Sequence, residues 1–265
     1  MKTAISNIIK FVLGMLPWAL FGIFYGSLGL FPSYLVNDID TRGLYDAELS
    51  LFGVIDGAER VIPGVFFTNH STAFLDFLAG VFYLCWVPVP LAFAVYLFFA
   101  GKRDWMIRFG WCFLFVNLIG FVGYYVHPAA PPWYVLQYGF EPIFNTGGST
   151  AGLARFDELV GFPVFGSIYV NNTNVFAAVP SLHAAYMMVT TYYCARSGSG
   201  RWMTALFAVI CVGIWWTAVY STHHYVIDVI LGILTAILGI FLFERWLMKT
   251  RFFAKFMDNY FNYIR

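Results

Sequence analysis

Residues 219–232 read VYSTHHYVIDVILG, and this stretch sets both the architecture and the chemistry expected of the chain. Two adjacent histidines, His223 and His224, stand at the mouth of an apolar run, and Asp228 follows His224 by four residues. On a helix, positions i and i+4 lie on one face about one turn apart, so the Asp228 carboxylate can take one imidazole N–H of His224. That pairing fixes one tautomer and leaves the other ring nitrogen free to react. His223 lies roughly 140° round a helix of 3.6 residues per turn from Asp228 and cannot share the carboxylate in the same way. His224 is therefore the expected reactive imidazole. An HH pair also reads as polar anchors at a membrane interface, so the surrounding chain has to decide.

Of the 265 residues, 60% are hydrophobic and 11% charged, with a mean hydropathy of +0.72. Soluble domains carry about a quarter charged residues, so an integral membrane protein is expected. A formal net charge of +1 leaves no electrostatic footprint for a nucleic-acid partner. Cys85, Cys112, Cys194 and Cys211 all fall inside apolar runs without metal-ligand spacing, which points to packing rather than a disulfide framework or a zinc site.

Apolar stretches close to the roughly 20 residues that span a bilayer occur at about 8–31, 73–100, 106–126, 182–195, 202–221 and 225–247. They predict an all-α, polytopic membrane protein of six transmembrane helices, forming a single integral membrane domain over 1–265. Within it, 1–72 holds the N-terminal helix and an outer interfacial segment, and 73–265 a five-helix catalytic core with an outer covering loop at 127–179. The fourth stretch is short and polar at its start. The first is long and lacks a small-residue cleavage site, which favours an uncleaved anchor over a signal peptide.

Orientation follows from the basic residues. With both termini cytoplasmic, Lys2, Lys10, Lys102, Arg103, Arg108, Arg196, Arg201, Arg245, Lys249, Arg251, Lys255 and Arg265 lie inside, leaving Arg42, Arg60 and Arg155 outside. His70, His127, His183, His223 and His224 then gather at the opposite surface, and a site there faces periplasm or organelle lumen. In the outer segment 32–72, DAELSLFGVIDGAERVI is expected to form an interfacial helix serving as packing cover. The covering loop opens with HPAAPPW and runs through NTGGSTAG and VNNTN, a composition that predicts irregular but folded structure over the helix mouths. The triplets NHS at Asn69 and NNT at Asn171 fit the glycosylation pattern.

A second chemical motif, VPSLHA at 179–184, opens the fourth helix. Ser181 can cap the helix or donate to an anion, and the first-turn N–H groups favour a phosphate beside His183. A capped helix with an interfacial histidine is the plainer reading. Short inner turns bring the outer ends of helices 3 to 6 to one surface, so His183 and His224 are expected to converge there.

Pro180, Ser181 and His183 match the Pro-Ser-x-His motif of the type 2 phosphatidate phosphatase superfamily, and His224 with Asp228 matches the His-x-x-x-Asp end of its third motif. The chain resembles that superfamily over roughly 120–239. Within it, HPAAPPW, VPSLHAAY and YSTHHYVIDV are similar to the inositol phosphorylceramide synthase, or aureobasidin-resistance, branch, and LYDAELSLFG extends the likeness more weakly toward the N-terminus. The resemblance implies a helical bundle that moves a phosphoinositol headgroup from phosphatidylinositol to a ceramide-like acceptor. His224 would be the nucleophile that forms a phosphohistidine, Asp228 its orienting partner, and His183 the proton donor and then the base. No cluster resembles a two-metal carboxylate site, so neither a metal nor a cofactor is expected.

The chain also departs from the superfamily pattern. The place of the first-motif lysine holds Gly120, that of the arginine before Pro128 holds His127, and the Ser-Arg of the third motif corresponds to Thr217 and Ala218. Three phosphate-binding cations are thus missing. A phosphomonoester carries nearly two charges at neutral pH and a diester one, so a cation-poor site favours headgroup transfer over monoester hydrolysis. Arg155, in the covering loop, is expected to reach the phosphate, although a solvent-facing place fits equally. Ser181, His127, His223, Pro131 and Trp133 complete the expected substrate-binding set. The alternative within the superfamily is a phosphatase of lipid phosphates or polyprenyl diphosphates. A transporter would need polar residues near the bilayer midplane, which these helices almost lack. Short inner loops suggest a bacterial inner membrane with the site facing periplasm, with the Golgi lumen as the alternative.

Overall fold

Prolines divide the first two apolar stretches into bent pairs of helices. Pro17 lies in the first turn of α2 (Leu16–Ser27), which follows α1 (Lys2–Gly14) at a bend of 43°. Pro88 and Pro90 open α6 (Pro88–Phe99), which is bent by 43° from α5 (Ala73–Tyr83). Proline lacks an N–H and its ring collides with the carbonyl four residues back, so it is accommodated in a first turn and interrupts a continuous helix.

The computed structural model describes residues 2–169 and 174–265, so the NNT triplet at Asn171 lies outside the described residues. Among the described residues, three helices are long and apolar enough to cross a membrane: α7 (Arg103–Val126), α12 (Arg201–Tyr220) and 226–249, whose regular part is α13 (Val226–Arg245). Counting each bent pair as one span brings the number to five, and the chain is a multi-pass membrane protein. The count of six is not reached by this measure. The fourth apolar stretch forms α11 (Leu182–Arg196), only 15 residues. Its length of about 22 Å falls short of the roughly 30 Å hydrocarbon core.

The outer segment is more broken than a single interfacial helix. It forms α3 (Gly43–Phe52), α4 (Pro63–Asn69) and, between them, an antiparallel ribbon of β1 (Val54–Asp56) and β2 (Glu59–Val61) with Val54 opposite Val61. The architecture is all-helical apart from this short ribbon, where the Asp56-Gly57 turn lets the chain double back. Among its described residues the covering loop carries three short α-helices, α8 (Pro132–Tyr138), α9 (Ala154–Val160) and α10 (Val164–Tyr169).

At the centre, α11 packs against α7, α12 and α13. Two glycines set how closely. A Cβ at Gly232 on α13 would lie 2.1 Å from the Ser181 carbonyl oxygen, and one at Gly120 on α7 would lie 2.4 Å from Leu182 Cδ2. The place of the superfamily lysine is thus filled by helix-to-helix contact. At the far end of the bundle, Lys102 Nζ donates to the carbonyls of Ser197 (3.0 Å) and Gly198 (2.9 Å), joining the α6–α7 and α11–α12 turns. Arg108 pairs with Glu244 at 2.6 Å between α7 and α13.

Candidate active site

The site is assembled by backbone bonds that fold one turn over the end of α12. The His224 N–H donates to the Ala218 carbonyl at 2.9 Å, and the Ser221 hydroxyl donates to the Thr217 carbonyl at 2.7 Å. Thr222 takes a left-handed conformation, φ 58°, which turns the chain sharply enough to bury both following histidines. The Ser181 N–H donates to the Asp228 carbonyl at 3.0 Å and so joins the start of α11 to the first turn of α13. His183, the second residue of α11, is thereby placed against the turn.

His224 Nδ1 lies 3.4 Å from Asp228 Oδ2, and His224 Nε2 lies 3.1 Å from His183 Nδ1. The same Asp228 oxygen accepts the Tyr225 N–H at 2.9 Å, which fixes the carboxylate. With the His224 Nδ1 proton facing Asp228, Nε2 carries the lone pair and the His183 Nδ1–H donates to it; this tautomer follows from the contacts. Asp228 is completely buried and His224 nearly so. Burial pushes the His224 imidazole down from 6.5 to about 4, opposed by a hydrogen bond to the Ala178 carbonyl. The ring is therefore neutral across the physiological range.

His223 faces the same space. Burial, with His224 and His183 beside it, holds its pKa well below the usual histidine range. Its Nδ1 is 3.0 Å from the Ser221 hydroxyl, while Nε2 makes no hydrogen bond to the described residues. The ring lies between Tyr83 (5.4 Å) and Tyr169 (4.9 Å). All three histidines line a cavity of about 70 Å³ that Pro131 and Trp133 of the covering loop help to close. Among the described residues that line it there is no Lys, Arg, Asp or Glu. Phosphate there would meet neutral donors, histidine rings and the amide end of α11.

Other expected site residues fall elsewhere. Arg155 does not line the cavity: its Nε is 2.6 Å from Asp76 Oδ1, and its guanidinium lies 5.3 Å over the Tyr220 ring. The Tyr220 hydroxyl donates to the same carboxylate at 2.7 Å, so this cluster ties α9 to α5 and α12. Arg155 is thus engaged through Nε by a buried acid outside the cavity, while its buried Nη2 is without a hydrogen-bond partner among the described residues. His127 pairs with Asp40 at 3.2 Å and lines a separate apolar groove. Ser181 makes no side-chain capping bond, and its buried hydroxyl is without a partner among the described residues.

One residue escaped sequence reasoning. Glu48 of α3 is buried, and its Oε1 and Oε2 accept the N–H groups of Val226 (2.9 Å) and Ile227 (3.2 Å). Burial raises its carboxyl to about 7 against the pull of those two donors, with Asp228 nearby adding to the rise. The only sequence signal was an acid on the apolar-and-charged stretch LYDAELSLFG, where nothing separates Glu48 from the exposed-face acids of any amphipathic helix.

The PAP2 superfamily pattern matches residues 59–242, which include His183, His224 and Asp228. The chain is 56% identical to the phosphoinositol dihydroceramide synthase of Bacteroides thetaiotaomicron, over 97% of this chain and 84% of that protein. It is 30% identical to the inositol phosphorylceramide synthase of Candida albicans, over 89% of this chain and 48% of that protein. Against the inositol phosphorylceramide synthase catalytic subunit of Saccharomyces cerevisiae it is 29% identical, over 84% of this chain and 54% of that protein. The chain thus spans about half the length of these fungal relatives. No solved structure matches it. With its motif residues drawn together at one helix-bundle mouth and the match extending over most of its length, the chain belongs to the PAP2 superfamily.

Proposed function

We propose that the protein transfers a phosphoinositol headgroup from phosphatidylinositol to a dihydroceramide-like acceptor through a phosphohistidine on His224. The observation that carries this reading is the His183–His224–Asp228 relay, at 3.1 Å and 3.4 Å, in a cavity lined by no Lys, Arg, Asp or Glu among the described residues. Such a site suits a singly charged diester better than a doubly charged monoester.

In the first step His224 Nε2 attacks phosphorus while the bond to the diacylglycerol oxygen breaks, and His183, as imidazolium, gives its Nδ1 proton to the departing alkoxide. In-line geometry needs the phosphoryl group between the two rings, at roughly 3–3.5 Å from the nucleophile. The resting contact of 3.1 Å must therefore open for substrate. In the second step neutral His183 takes the proton of the acceptor's primary hydroxyl, whose oxygen attacks phosphorus and expels His224. Two inversions retain configuration. His223, Pro131 and Trp133 line the space the headgroup would enter, and Ser181 lies one residue outside it. Arg155 and His127, held by Asp76 and Asp40, act in this reading as anchors of the covering loop.

The membrane arrangement belongs to the same proposal. A single domain over 1–265 crosses the bilayer six times, α11 being the fourth crossing and the one beyond the five counted above, short but sheltered by α7, α12 and α13. The Lys102 contacts put the basic turns before α7 and before α12 at one end of the bundle, which supports a cytoplasmic face there and a periplasmic site at the histidine end.

The deciding assay supplies purified protein in micelles with phosphatidylinositol and fluorescent dihydroceramide, in the presence of chelator. Phosphoinositol dihydroceramide is the expected product, at a rate unchanged by the chelator. Absence of that product, with phosphate instead released from phosphatidate, would replace transfer by hydrolysis. A pH profile adds a second expectation. Because burial lowers His224 to about 4, its neutral form persists from pH 8 down to pH 5, so kcat/KM should show no acid limb centred near 6.5. A limb at 6.5 that follows His224 would contradict the buried, neutral nucleophile.

A further inference from the structure

Asp228 closes a capping box onto the Tyr225 N–H at the start of α13, but the next two N–H groups, of Val226 and Ile227, find their side-chain acceptor outside the helix. Glu48 supplies it from 178 positions away, one carboxylate oxygen to Val226 and the other to Ile227. The next residue is Asp228, whose Oδ2 must face both the Tyr225 N–H and His224 Nδ1. Two carboxylates therefore share one helix N-terminus: Glu48 holds the backbone, Asp228 holds the imidazole. A negative charge is favourable at this end of a helix, and hydrogen bonds to an ionised acceptor are the stronger kind.

The support of Glu48 is itself fixed. Asp40 Oδ1 accepts the Gly43 N–H at 2.6 Å and starts α3, and the Asp40 backbone bonds to Pro128 and Ala130 of the covering loop at 2.8 Å and 2.9 Å. Leu44 packs with Tyr225, Val179 and Ile62 in one buried cluster. The superfamily match begins at residue 59, so Glu48 reaches the catalytic helix from a segment outside it.

We propose that Glu48 is a positioning residue for the transfer reaction, holding the first turn of α13 so that the Asp228 carboxylate meets His224 Nδ1. The inference rests on the reading of His224 and Asp228 given above. Losing one or both acceptors leaves buried N–H groups unpaired and lets the turn relax. A displacement of an ångström at a catalytic group costs up to about 100-fold in rate.

The test is a kcat and KM comparison of wild type, Glu48→Gln and Glu48→Ala, each taken from the monodisperse peak, repeated in an Asp228→Asn background. Glu48→Gln keeps one acceptor oxygen and should lose about tenfold in kcat; Glu48→Ala should lose about 100-fold, with KM for both lipids within about twofold. If Glu48 acts through Asp228, its substitution should cost less than about twofold once Asp228 is asparagine. A Glu48→Gln enzyme with unchanged kcat, a loss confined to KM, or a full tenfold loss persisting in the Asp228→Asn background would each overturn the proposal. Should Glu48→Ala not fold, the Gln variant and the double-variant comparison decide. A wild-type enzyme that makes no phosphoinositol dihydroceramide sinks the reaction assignment; an active wild type with unaffected Glu48 variants sinks this inference alone.

Discussion

His224→Ala is expected to lose phosphoinositol transfer by about four orders of magnitude or more while remaining folded, because among the described residues no other histidine of the cavity has a carboxylate on its second ring nitrogen. His183 already points its Nδ1 at His224, and Nε2 of His223 has no carboxylate to orient it. The fold should tolerate the change: the ring borders a cavity, and Asp228 retains the Tyr225 N–H at 2.9 Å. Turnover of fluorescent dihydroceramide measures the loss. Trapping of label from phosphorus-labelled phosphatidylinositol tests its cause, since wild type should yield an acid-labile, alkali-stable adduct and the variant none. Label retained at wild-type level on His224→Ala would move the nucleophile elsewhere.

His183→Ala should cost about 10²- to 10⁴-fold in the full reaction, the usual contribution of a general acid and base. The loss should depend on the leaving group. With a nitrophenyl phosphoinositol donor, whose phenolate needs no proton, the first step should recover toward wild type, giving a burst of nitrophenol followed by slow transfer. The labelled adduct should then accumulate, because the acceptor hydroxyl has lost its base. An equal loss with both donors, and no burst, would show that His183 is not the acid and that its stacking on Tyr83 at 5.2 Å is its whole role.

The parts of this site legible in the sequence are those whose relation is local. His224 and Asp228 are one helical turn apart, so their pairing could be read from spacing, and His183 could be set beside them by counting crossings. Bends at Pro17 and Pro88 were signalled by residue type but not weighed against the length of the apolar runs. What could not be read is long-range and polar. For Arg155 the sequence shows a charge but not its partner, because Asp76 lies 79 positions away. Glu48 escaped for the same reason, its two donors being N–H groups that every residue possesses. Ser181 matches a motif position and a capping preference together; its hydroxyl makes no cap and stands without a partner among the described residues. The loss of the superfamily lysine reads in sequence as a missing charge; in three dimensions it is a close crossing of α7 over Leu182 at Gly120.

The hydrogen bond between His183 and His224 bears on what happens between turnovers. In the proposed mechanism, while the two rings touch, the His224 lone pair that would attack phosphorus is already occupied by a proton, so His224 in the empty enzyme would be shielded from stray phosphates. When product forms, the same bond is waiting to be remade, and its return, worth about 1 kcal/mol, works against the departing lipid's hold on the pocket. If His224 is the nucleophile proposed above, the pair would be at once the safety catch of the resting enzyme and a spring for product release.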